Sequence, residues 1–112
     1  MAYGTATMHG RALIALADPT RRKLFERMQR RDHTVGELAT ALRITQPAVS
    51  QHLRVLRDAR LVTLRREGTR RYYRPSPEGL AQLRSYVETL WDEALTAFAG
   101  DDPAPKKKER KK

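Results

Sequence analysis

Apolar positions recur at helical spacing through most of this chain, and the period changes once, just after residue 60. Gly10 to Ala17 (GRALIALA) makes a short apolar helical run. It stops at Asp18-Pro19, because a residue before proline avoids helical geometry. Asp18 is placed to cap a second helix with Pro19 in its first turn. Leu24, Phe25 and Met28 give that helix a buried stripe, and the RRDH that ends it reads as a solvated turn. Thr34 and Glu37 have the spacing of a capping box and open a third helix, Val35 to Leu42. Its Val35, Leu38, Ala39 and Leu42 face inward. After a brief turn at Arg43-Ile44, Thr45 caps a fourth helix that runs toward Arg60, with Val49, Leu53 and Leu56 on one apolar stripe.

From Leu61 the pattern becomes that of strands. LVTLRREGTRRYYR is rich in β-formers around Gly68-Thr69, which serves as a two-residue turn. That turn pairs Glu67 with Arg70, Arg66 with Arg71, Arg65 with Tyr72, Leu64 with Tyr73 and Val62 with Pro75. Val62, Leu64 and Tyr73 then share the inner face of a hairpin. Ser76-Pro77 opens a last long helix. The predicted fold is mainly α with a β-hairpin, in the order α-α-α-α-β-β-α. Two short helices joined by a tight turn and followed by a hairpin make a winged helix-turn-helix.

The last helix is apolar over about half its circumference, wider than one core requires. It is expected to serve its own domain and a second subunit, with the first helix contributing. The expected dimer contacts are Leu13, Leu16, Val87, Leu90, Trp91, Leu95 and Phe98, with Ile14 also apolar on the first helix. Trp91 and Phe98 lining a ligand pocket is the competing reading. One domain is expected over 9–99. Residues 1–8 form a flexible start or an extension of the first helix, and 100–112 (GDDPAPKKKERKK) a disordered basic tail. That tail adds phosphate attraction or simply solubility.

Charge narrows the partner. The net charge is +10, and residues 1–99 alone hold 17 basic against 10 acidic residues. All but Lys23 of those basic residues are arginine, which suits bidentate contact to phosphate and guanine. A polyanion is the implied partner, nucleic acid before membrane. The absence of cysteine excludes disulfides and thiolate metal sites. No apolar run reaches membrane-spanning length and no export signal is visible, so a cytoplasmic protein is expected. His9, His33 and His52 lie on separate elements and give no metal-ligand spacing. No nucleophile–base pair or phosphate loop appears, since Ser50 and His52 point to different faces of one helix. Neither an enzyme nor a cofactor is implied.

The chemistry sits on two elements. The outward side of the fourth helix carries Pro47, Ser50, Gln51 and Arg54, with Thr45 and Gln46 at its leading end. A hydroxyl, a carboxamide and a guanidinium suit base edges and phosphates, and the N-terminal half is what such helices present to the major groove. The hairpin tip carries Arg65, Arg66, Arg70 and Arg71 against Glu67. Setting Arg66 opposite Arg71 costs stability, which favours DNA contact over the alternative of an edge charged against aggregation.

LADPTRRKLFERM, TVGELA, QPAVSQHLRVLRDARLV and REGTRRYYR, in that order over residues 9–99, resemble the ArsR/SmtB family of bacterial winged-helix repressors. The resemblance implies a homodimer joined through the first and last helices on a palindromic operator, at the bacterial nucleoid. It assigns Ser50, Gln51 and Arg54 to base and phosphate contact; His52 matches the histidine of the family's S-x-H-L motif, and on the helical wheel it borders the apolar stripe, which makes it structural. The third helix lacks the cysteines, and the last helix the histidines, of the family's metal sensors, so a metal-independent branch is implied. Arg60 stands where the family commonly has glycine. The operator, the regulated genes, any inducer and the sign of regulation stay open. A non-specific nucleic-acid or chromosome-architecture protein is the alternative.

Overall fold

Capping chemistry sets where the helices begin. The computed structural model orders the chain as α1 (Tyr3–Ala17), α2 (Pro19–Met28), α3 (Val35–Leu42), α4 (Gln46–Asp58), β1 (Val62–Glu67), β2 (Arg70–Pro75) and α5 (Pro77–Ala99). It describes the backbone of residues 3–99 and the side chains of 10–98. The Asp18 carboxylate accepts from the Arg21 N–H at 2.9 Å and starts α2. Thr34 Oγ1 accepts from the Glu37 N–H at 3.1 Å while the Glu37 carboxylate accepts from the Thr34 N–H at 3.0 Å, closing the capping box of α3. Thr45 Oγ1 accepts from the Ala48 N–H at 3.2 Å, and Ser76 Oγ from the Gly79 N–H at 3.1 Å. Each satisfies a donor that the first turn of a helix leaves unpaired.

The helix ends were less legible. Both helices of the helix-turn-helix close with paired reverse hydrogen bonds. In α3 the Ile44 N–H donates to the Ala39 carbonyl (3.1 Å) and the Arg43 N–H to Thr40 (3.3 Å). In α4 the Leu61 N–H donates to Leu56 (3.0 Å) and the Arg60 N–H to Arg57 (2.8 Å). This closure needs one left-handed residue, a position that favours glycine. Here arginine fills it twice, Arg43 at φ 59° and Arg60 at φ 63°. The α1 end is held differently. Arg21 Nε donates to the Ala15 carbonyl at 2.8 Å and Arg22 Nη1 to the Leu16 carbonyl at 2.9 Å. Two cations thereby sit at the negative end of the α1 dipole.

The chain divides into two compact units, residues 1–82 and 83–112. In the first, Leu24, Met28, Leu38, Val49, Leu53, Leu56 and Leu61 are the largest fully buried side chains. Burial of each contributes about 1.5–3 kcal/mol before the entropy of ordering it. Val35 and Leu42 are only half-buried, at the margin of the α3 stripe. The hairpin has the expected register throughout, Val62 with Pro75 to Glu67 with Arg70, and Gly68 supplies the turn at φ 66°. Gly79 permits a close approach: a methyl group there would overlap the Arg60 carbonyl oxygen. The first turn of α5 therefore meets the Arg60 carbonyl just past the end of α4. In the second unit the described residues are all α5, and Val87, Leu90, Trp91, Leu95 and Phe98 stand exposed along it.

Of the two readings of residues 1–8, the extension of the first helix holds from Tyr3, where α1 begins. One expectation changes. The RRDH segment is not a solvated turn throughout. His33 is only 5% exposed and bridges to β2: its N–H donates to the Tyr73 carbonyl at 3.1 Å and its carbonyl accepts from the Tyr73 N–H at 2.7 Å. Its Nδ1–H donates to the Arg31 carbonyl at 2.7 Å. One residue of strand pairing leaves no periodic signal in the sequence. Residues 100–112 lie outside the described residues.

Candidate nucleic-acid interface

Val49, Leu53 and Leu56 anchor one side of α4 in the core, and that fixes which side faces out. Pro47, Ser50, Gln51 and Arg54 are all exposed and line one shallow depression with Ala48. No side-chain hydrogen bond or ion pair engages Ser50, Gln51 or Arg54 among the described residues. Their polar atoms are free to meet a partner. Thr45 is exposed, but its hydroxyl already serves the cap. His52 is half-buried beside this row.

The four wing arginines separate into two kinds. Alternation along the strands puts Arg66 and Arg71 on the face that continues from Leu64 and Tyr73. Neither has a side-chain partner among the described residues. Arg65 lies on the opposite face and is heavily engaged. It bonds Glu67 at 2.8 Å and Asp32 at 3.1 Å, and its guanidinium stacks 4.7 Å from the Tyr72 ring centroid. The acceptors on Glu67, then Asp32, push Arg65 above the ordinary guanidinium range. Arg74 also reaches Asp32, at 3.4 Å. Arg70 donates to the Tyr72 hydroxyl at 3.5 Å, a weak bond that leaves its other donors free.

Asp32 was missed by sequence reasoning. It is 33 residues from Arg65 in the chain and sits in what reads as a turn, so only the folded hairpin reveals it. The wing tip and the helix-turn-helix meet in an open groove of about 1010 Å³. Arg27, Arg31, Gly36, Gln46, Arg70 and Arg71 are among its lining residues. Gln46, Arg70 and Arg71 thus share one concavity, while Ser50, Gln51 and Arg54 form a neighbouring row on α4. The groove also holds Glu37, whose charge is offset by Arg31 at 3.4 Å.

Of the expected dimer contacts, Leu13, Val87, Leu90, Trp91, Leu95 and Phe98 are exposed, Trp91 at 63% and Phe98 at 90%, while Leu16 is half-buried. Among the described residues no helix is long and apolar enough to cross a membrane.

These features have known counterparts. The arsR family of bacterial regulatory proteins matches residues 18–63, from the α2 cap into β1. The HTH-type transcriptional regulator Rv2034 of Mycobacterium tuberculosis (strain ATCC 25618 / H37Rv) is 51% identical over 98 residues, 82% of this chain and 92% of its own length. A crystal structure described as a possible transcriptional regulator for arsenical resistance is 42% identical, with a TM-score of 0.66 over 83% of this chain and 97% of that one. The homodimeric winged helix-turn-helix domain of Mb0332 from Mycobacterium bovis, a possible ArsR-family regulator solved by NMR, is 33% identical with a TM-score of 0.65, covering 82% and 85%. With the capped helix-turn-helix, the wing and these relatives together, the chain belongs to the arsR family of DNA-binding transcriptional regulators.

Proposed function

We propose that this regulator is a homodimeric repressor that reads a palindromic operator and needs no metal to do so. The observation that carries the reading is the free row Ser50, Gln51 and Arg54 on α4, flanked by a wing with unpartnered Arg66 and Arg71. Paired across a two-fold axis, two such rows enter successive major grooves about one helical turn apart. The wings then take flanking phosphates, and the bound dimer excludes RNA polymerase from the promoter. Dimerisation is supported by the exposed apolar residues of α1 and α5 and by the homodimeric state of the Mycobacterium bovis relative. Metal independence is supported by the donor set: the chain has no cysteine, and the described residues hold no group of three His, Asp or Glu side chains suited to a metal. Such a protein acts in the cytoplasm, at the nucleoid.

The test is selection of bound fragments from genomic DNA, with chelator and with added metal. A few sharp palindromic sites, unchanged by either, are expected. Diffuse occupancy would favour the non-specific binder that a net charge of +10 also allows. On the selected site, Arg54→Ala should cost about 1–3 kcal/mol and relax sequence preference at one position per half-site. Unchanged affinity in a mobility-shift titration would refute the assignment of the reading row.

A further inference from the structure

We infer that α2 and the turn after it carry a second phosphate-binding track, used by DNA flanking the segment that α4 and the wing cover. The inference rests on the DNA-reading surface proposed above and extends it. Lys23 and Arg27 are four apart and share one side of α2, while Leu24, Phe25 and Met28 bury the other, and Arg30 stands in the turn just beyond the helix end. All three are exposed, and none has a side-chain hydrogen bond or ion pair among the described residues. Their neighbours behave differently. Arg21 and Arg22 fold onto the carbonyl end of α1, and Arg31 pairs with Glu37. Structural roles thus account for those three cations and leave Lys23, Arg27 and Arg30 without one. Like charges one turn apart repel, and the acidic residue that lines the same depression is Glu26.

Their placement points to DNA. Lys23, Arg27 and Arg30 line an open trough of about 650 Å³ beside Ala41, Leu42 and Ile44. Arg27 and Ala41 also line the groove at the wing tip, so the two depressions adjoin along α3. Basic residues therefore line both depressions, from Arg70 and Arg71 through Arg27 to Lys23. The three cations form a row rather than a converging cluster. Lys23 and Arg27 stand roughly 6 Å apart along the helix axis, about the rise of two nucleotides along one strand, and Arg30 follows in the turn. A row of point charges matches a row of phosphates, whereas a small anion needs convergent donors.

The test compares two duplexes that share the selected operator. One ends at the operator edges and the other adds about one helical turn of unrelated sequence on each side. Affinity is measured by fluorescence anisotropy across a salt series, at one dimer per duplex. The wild-type protein should bind the longer duplex more tightly and with a steeper salt slope. Lys23→Gln/Arg30→Gln should erase that gain, with the slope on the long duplex falling by about 0.9 per lost phosphate contact. Its binding to the short duplex should match wild type. Arg27 is left in place because it also borders the wing groove. Both substituted positions are exposed, and a matching thermal melt establishes an intact fold; the single Arg30→Gln variant should give half the change. Equal wild-type affinity for both duplexes would overturn the inference, as would a variant that weakens both equally or neither. Failure of the wild-type protein to prefer either operator duplex over unrelated DNA would instead sink the operator reading itself.

Discussion

Arginine at a left-handed position is the most unusual local choice in the chain. Arg43 and Arg60 both have positive φ because the closing bonds of α3 and α4 demand it. The β-carbon of an L-residue there costs about 1–2 kcal/mol, partly offset by the roughly 0.4–1 kcal/mol that glycine adds in unfolded-chain freedom. Arg60→Gly should therefore stabilise the fold by about 0.5–1 kcal/mol in urea unfolding. Arg60→Val should destabilise it, since β-branching crowds this region further. The caps give a pH prediction at the same scale. The Arg21 backbone N–H lowers the Asp18 carboxyl, and the Thr34 backbone N–H lowers that of Glu37. Carboxyls depressed by folding stabilise the native state above their ordinary values and lose that contribution as pH falls through the lowered ones. Melting temperature should thus decline as pH drops below the usual carboxylate range, and Glu37→Gln should show a shallower acid limb.

Among the elements, the wing departs most from its simplest reading. Four arginines at one tip look equivalent in sequence, but the fold makes Arg65 a tie to Asp32 and Glu67 and leaves Arg66 and Arg71 free. Removing a phosphate contact lowers the salt slope of DNA binding by about 0.9. Arg71→Ala should show that loss, whereas Arg65→Ala should leave the slope unchanged and weaken binding only through a looser wing. Equal slopes for the two variants would refute the division of labour. Much of this was legible beforehand for physical reasons. Caps are local, so Asp18, Thr34, Thr45 and Ser76 announce their helices within four residues. Gly68-Thr69 sets the hairpin register because a two-residue turn allows no slip. The outward row of α4 followed from the buried period of Val49, Leu53 and Leu56. What stayed hidden was non-local. Asp32 with Arg65 and Arg74, His33 with Tyr73, and Gly79 beneath the Arg60 carbonyl each join residues that no sequence window contains.

For the whole molecule, the apolar residues left exposed by one chain matter most. Leu90, Trp91 and Phe98 on α5, with Leu13 and Ile14 on α1, are large apolar groups that a lone chain leaves exposed at a cost. Under the dimer proposal a second copy covers them. Leu90→Glu should then shift the protein to monomer in sedimentation experiments. It should also weaken operator binding by about a hundred- to ten-thousand-fold, the avidity of two linked reading heads. A variant that kept its dimer mass would place the interface elsewhere.

The root of the hairpin is held at Tyr73 by His33 and at Arg65 and Arg74 by Asp32, while the residues beyond it contribute no buried side chain. That separation makes the tip a replaceable part. The exposed side chains at positions 66, 67, 70 and 71 can change without disturbing the packing that folds the chain, provided the Gly68 turn is kept. Duplicated copies of such a gene can diverge in the DNA they flank by changing this one loop, while inheriting the reading helix intact.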